Sequence, residues 1–193
     1  MSHLTRSPGA VNTTFEPPAA AQWAEALSKN ESLDLLASSL RPIANFVTKS
    51  DQVRTALRSR LLGHALHPLL TDLPIGFWTS ALTLDVLSPH RGESASQCLT
   101  GLGILAAVPT AATGIAEWSD TEKEDARIGV VHALSNSAAL TAFTASYFAR
   151  RSGRLGWGRA LGFLGGAAMA VGGYLGGHLA ISRKVGSHLP ITD

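Results

Sequence analysis

A chain of 193 residues with 16 Lys and Arg against 14 Asp and Glu is too nearly neutral for its net charge to hold it on nucleic acid. Charged residues make up only 16% of it and hydrophobic residues 45%, and long windows carry no charge, unlike the evenly charged surface of a soluble domain. Cys98 is the single cysteine, which excludes a disulfide framework, a cysteine-ligated zinc and an iron–sulfur cluster within these residues.

Residues 1–18 are rich in Ser, Thr and Pro and read as a flexible tail. No apolar core of a secretory signal lies in residues 1–20, so internal segments are expected to carry the chain into a membrane. Residues 19–62 predict amphipathic, interfacial helices. Trp23, Ala26 and Leu27 mark the first, and Leu33, Leu36, Ala37 and Leu40 a second that Pro42 is expected to end. Ile43, Phe46 and Val47 add one further turn. Val53, Leu57 and Leu61 then share a face, with Arg54, Arg58 and Arg60 on the others, a pattern suited to an anionic lipid surface.

Four apolar runs follow, over 69–87, 98–116, 128–149 and 160–181. Each is about the length that crosses a bilayer, roughly 20 residues. Their short connections force antiparallel neighbours. The fold class expected is therefore all-α: a four-helix up-down transmembrane bundle over residues 63–186, with an amphipathic helical N-terminal extension and a tail over 187–193. In the fourth run, Gly162/Gly166, Gly172/Gly176 and Gly173/Gly177 are small-xxx-small pairs, which suit close helix packing or a flat groove for a planar cofactor. With the N-terminus inside, Lys49, Arg54, Arg58, Arg60, Lys123, Arg127, Arg183 and Lys184 share the cytoplasmic side, against Arg91, Arg150, Arg151, Arg154 and Arg159 opposite. The positive-inside rule then favours both termini in the cytoplasm of a multi-pass bacterial inner-membrane protein.

In an up-down bundle the starts of helices 1 and 3 and the ends of helices 2 and 4 meet at one face. That face receives His64, His67, Asp72, Glu117, Asp120, His132 and His178. Asn136 lies four residues after His132 and Tyr174 four before His178, each able to orient its histidine from outside the ligand shell together with Asp120. Three chemistries suit such a cluster. One is b-type haem between two imidazoles from His67, His132 and His178, with His67 or His132 opposite His178 as the expected pair. Another is non-haem iron, zinc or copper on His64, His67, His132 and His178 with Asp72 or Glu117. A third is a metal-free proton or quinone site. The plainest alternative is that these side chains cap helix ends in a cofactor-free structural subunit. Asp72 then caps a helix starting near Pro74, and Asp85 sits at the membrane interface.

Gly63-His64-Ala65-Leu66-His67-Pro68-Leu69-Leu70-Thr71-Asp72-Leu73-Pro74-Ile75-Gly76, with Asp85 downstream, resembles the opening of the bacterial membrane family known as domain of unknown function 2231. The resemblance continues through Gly114–Asp120, where the family usually has Asp at Glu117, through Val130–Asn136, and through Gly173–Leu179. It covers about residues 60–186. It implies a four-helix membrane protein, fused in several actinobacterial members to a Rieske [2Fe–2S] domain. One cysteine cannot hold that cluster, so the resemblance implies a separate redox protein as electron partner. The combined expectation is an electron-transfer or accessory subunit in the lipid bilayer rather than a stand-alone enzyme, working as a homo-oligomer or within a membrane complex.

Overall fold

The computed structural model of the protein describes residues 16–57 and 66–186. All regular structure among them is helical: α1 (Ala19–Lys29), a 3-10 turn (Glu31–Leu33), α2 (Asp34–Val47), α3 (Asp51–Leu57), α4 (Leu66–Leu87), α5 (Glu93–Trp118), α6 (Lys123–Arg151) and α7 (Leu155–Gly177), the last running on into a π-helical turn, His178–Ser182. The tail at 187–193, most of the tail at 1–18, and Arg58, Arg60, Leu61 and His64 lie outside the described residues.

All four long helices start before the apolar runs, and α5 and α6 also end after them, because their polar ends stay helical beyond the apolar residues. Antiparallel hairpins α4–α5 and α6–α7 form the two tightest packed pairs, and α5 against α6 and α7 against α4 complete the ring. Three of the four, α5, α6 and α7 with its π-turn, are long and apolar enough to cross a membrane. The sequence predicts four spans. Helix α4 has the length, but Asp72, Asp85, two prolines and several hydroxyl residues dilute its apolar character.

Proline placement explains part of the packing. Pro74 lies inside α4 and has no N–H, so the Leu70 carbonyl one turn earlier loses its helical donor. The Thr110 hydroxyl of α5 lies 3.1 Å from that carbonyl and shares its proton between it and the Ala106 carbonyl of its own helix, 2.8 Å away. Pro42 does not end α2, which continues to Val47. Both Pro42 and Ser38, whose carbonyl loses its donor, face outward, so no buried group is orphaned.

Helices α1 and α2 pack across the end of the ring formed by the α5–α6 connection. Ala24 of α1 is fully buried with Ile128, Leu175 and Leu179. Arg127, almost wholly buried, donates from Nε and Nη2 to both oxygens of Asp34, at 2.7 and 2.9 Å, and from Nη1 to the Ser28 carbonyl. Arg41 donates to the carbonyls of Ser119 and Thr121 at 2.6 and 2.8 Å, satisfying acceptors that the end of α5 leaves open. Its guanidinium also lies 4.8 Å from the centre of the Trp118 ring. Asp34 and Arg41 of the extension thus point into the protein, while Leu35, Ile43 and Phe46 of α2 point out.

A paired-imidazole candidate site

The interior carries three layers, each built from one residue of α4 and one of α6. His67 and His132 have ring centres 6.3 Å apart and planes 83° apart. Trp78 and Phe143 stack at 4.3 Å with planes 11° apart. Asp85 and Arg150 form a two-pronged ion pair, Nη1 to Oδ1 at 2.9 Å and Nη2 to Oδ2 at 2.5 Å. The residues of each pair are 65 positions apart in sequence. Helices α4 and α6 are therefore equivalent elements facing each other across a pseudo-two-fold axis that runs along the ring.

The companion helices obey the same relation at 62 positions. The imidazole of His67 points Nδ1 at the Thr110 carbonyl, 2.9 Å away, and lies against Gly114, where a Cβ would come within 2.7 Å of the ring. His132 points Nδ1 at the Gly172 carbonyl, 2.8 Å away, and lies against Gly176, where a Cβ would come within 2.8 Å. Gly103 makes room for the Trp78 ring as Gly165 does for Phe143. Rings sit on α4 and α6; the hollows that receive them sit on α5 and α7.

The tautomers follow from the acceptors. A carbonyl can only accept, so each Nδ1 carries the proton and each Nε2 keeps its lone pair in the neutral ring. This is the arrangement that orients a histidine as a metal ligand, with a backbone carbonyl as the outer partner. Thr113 Oγ1 adds a contact to His67 Nδ1 at 3.2 Å. Asn136 Nδ2 lies 3.2–3.3 Å from both ring nitrogens of His132 and donates to the His132 carbonyl at 3.0 Å.

The expected partner for this pair, His178, is elsewhere. Its ring stacks on Tyr174 at 6.4 Å, and Tyr174 faces Trp23 of α1 at 6.5 Å. His178 Nε2 is buried without a hydrogen-bond partner. The reason is angular: His178 is two residues beyond Gly176, about 200° around α7, so it leaves the face that receives His132. Asp72 and Asp120 are exposed, Glu117 is half-buried at the end of α5, and His64 is outside the described residues. Among the described residues no group of three or more His, Cys, Asp or Glu side chains is placed to hold a metal. His67 and His132 are the candidate histidines whose rings the fold brings into contact.

The Asp85–Arg150 pair is what sequence reading missed. Asp85 was expected at the interface and Arg150 in a connection, yet their side chains are only 2% and 1% exposed. Ser96 donates to Asp85 Oδ1 at 2.9 Å, and Arg150 Nε donates to Ser146 Oγ at 3.2 Å. The signal that finds them is the shared 65-residue spacing. On the capped rim, a hollow of about 880 Å³ lies between Arg41, the α5–α6 connection and Arg183, away from the imidazoles. Burial opposes the charge on Arg183 there, but hydrogen bonds to Glu124 and Asp125, with Glu25 nearby, raise its pKa overall.

These features define an all-helical membrane protein with a histidine pair on its internal axis. The chain belongs to the predicted membrane protein family known as domain of unknown function 2231, which it matches over residues 63–188. No curated protein and no solved structure matches it.

Proposed function

We propose that this protein is an electron-transfer protein or accessory subunit of the bacterial inner membrane. In this reading α4–α7 all cross the bilayer, both termini lie in the cytoplasm, and His67 and His132 are the residues that would hold one b-type haem. The observation that carries it is the matched pair of imidazoles, each with Nδ1–H committed to a backbone carbonyl and Nε2 left with its lone pair. The macrocycle supplies four ligands to its iron, so a site with two protein ligands suffices. The two rings, with centres 6.3 Å apart, are the side chains that would hold such a group. A metal on the pseudo-two-fold axis also meets two equivalent ligands.

When bound, haem supplies one-electron oxidation and reduction. The chain's own residues hold the imidazoles: the Thr110 and Gly172 carbonyls fix each ring, and Gly114 and Gly176 leave space for it. The electron partner is a separate redox protein.

The test is the visible spectrum of protein purified from haem-replete cells. A Soret band is expected that is lost in His67→Ala and in His132→Ala and kept in His178→Ala. A colourless protein refutes the haem, and stoichiometric metal without a Soret band moves the same pair to a non-haem ion.

A further inference from the structure

Two of the three layers are alike in the two hairpins, and the third is not. Histidine faces histidine, an aromatic ring faces an aromatic ring, and Gly103 and Gly114 match Gly165 and Gly176. An α4–α5 hairpin therefore offers a second copy of itself nearly the same rings and hollows that α6–α7 offers. At the remaining position the equivalent residues carry opposite charge: Asp85 on α4 and Arg150 on α6.

We propose that the Asp85–Arg150 pair makes the two hairpins of one chain recognise each other, and rejects pairing of either hairpin with its own copy in a second chain. Pairing of like hairpins would set Asp85 against Asp85, or Arg150 against Arg150, in a position closed to water. An uncompensated charge there is strongly disfavoured, and two like charges more so. The surroundings satisfy the mixed pair. Ser96 donates to the carboxylate; Ser146 accepts from the guanidinium and donates its own O–H to the Gly158 carbonyl at 2.5 Å. Gly158 leaves room for the Arg150 stem. Each serine serves the charge on its own hairpin, and a hydroxyl, which both donates and accepts, can serve either sign.

The experiment uses full-length chains with two different tags, purified in detergent. Asp85→Arg alone and Arg150→Asp alone are expected to lose most of their monodisperse yield, and the Asp85→Arg/Arg150→Asp double variant to regain most of it. Co-produced Asp85→Arg and Arg150→Asp chains are expected to capture each other at least about tenfold more than two wild-type chains do, because exchanging hairpins restores both ion pairs. Should the single variants not accumulate at all, the double variant and the mixed capture still report. The proposal is overturned if either single variant folds as well as wild type. It is equally overturned if the double variant is no better than the singles, or if mixed capture stays at the wild-type level.

Discussion

Trp78 of α4 and Phe143 of α6 stack face to face at the centre of the helical ring, each ring seated over a glycine of the neighbouring helix. Trp78 also donates from Nε1 to the Thr100 carbonyl at 3.2 Å. Trp78→Ala removes the stack and leaves a cavity, with an expected cost of about 3–5 kcal/mol. Trp78→Phe keeps a ring and loses the hydrogen bond, an expected cost of about 1 kcal/mol. Thermal unfolding in detergent separates the two.

Gly114→Ala and Gly176→Ala test the imidazole seats without touching a histidine. A methyl at either position meets a ring within 2.7–2.8 Å, so the ring must turn away from its carbonyl. Under the proposed function, either variant should broaden or weaken the Soret band, whereas alanine at Gly173, where a Cβ meets nothing within 4 Å, should leave it unchanged.

Thr110 and Pro74 should be energetically coupled. Thr110→Val leaves the Leu70 carbonyl without its donor, at an expected cost of about 1–3 kcal/mol. Pro74→Ala gives that carbonyl a helical N–H again, so Thr110→Val should cost markedly less in that background. A double-mutant cycle with additive effects would contradict the coupling.

The docking of the N-terminal extension should weaken in acid. The hydrogen bond from Arg127 holds the Asp34 carboxyl below its ordinary value, and desolvation only partly offsets it. A carboxyl lowered in the folded state contributes stability above its unfolded pKa, about 3.9, and loses it as pH falls through the folded value. Amide exchange in α1 and α2, corrected for its intrinsic pH dependence, should therefore rise below about pH 4 relative to α6. Asp34→Asn should exchange faster at neutral pH and show no such rise.

The helices were legible in the sequence because long apolar runs between short polar links leave few alternatives. The histidine pair was legible only in part. Chain order brings His67, His132 and His178 to one end of the ring, but the angle around α7 decides which of them meet. The faces of Gly172/Gly176 and Tyr174/His178 lie on opposite sides of that helix, and only the first accepts an imidazole from α6. Asp85 and Arg150 were illegible as a pair for a different reason. Each lies at the end of an apolar run, where a single charge ordinarily meets water or headgroups, and only the matching positions on equivalent helices turn both inward.

The connection between α5 and α6 lies at the capped end, and so do the start of α4 and the end of α7. If all four helices cross, as proposed, the described residues beyond the bilayer on the other side are two turns, Ser88–Gly92 and Ser152–Arg154. That side is almost bare. A soluble partner arriving there finds little to grip, whereas one arriving at the capped side meets α1, α2 and the shorter path to the imidazoles. Under the proposed function, an electron partner is therefore expected on the capped side, whichever compartment that side faces.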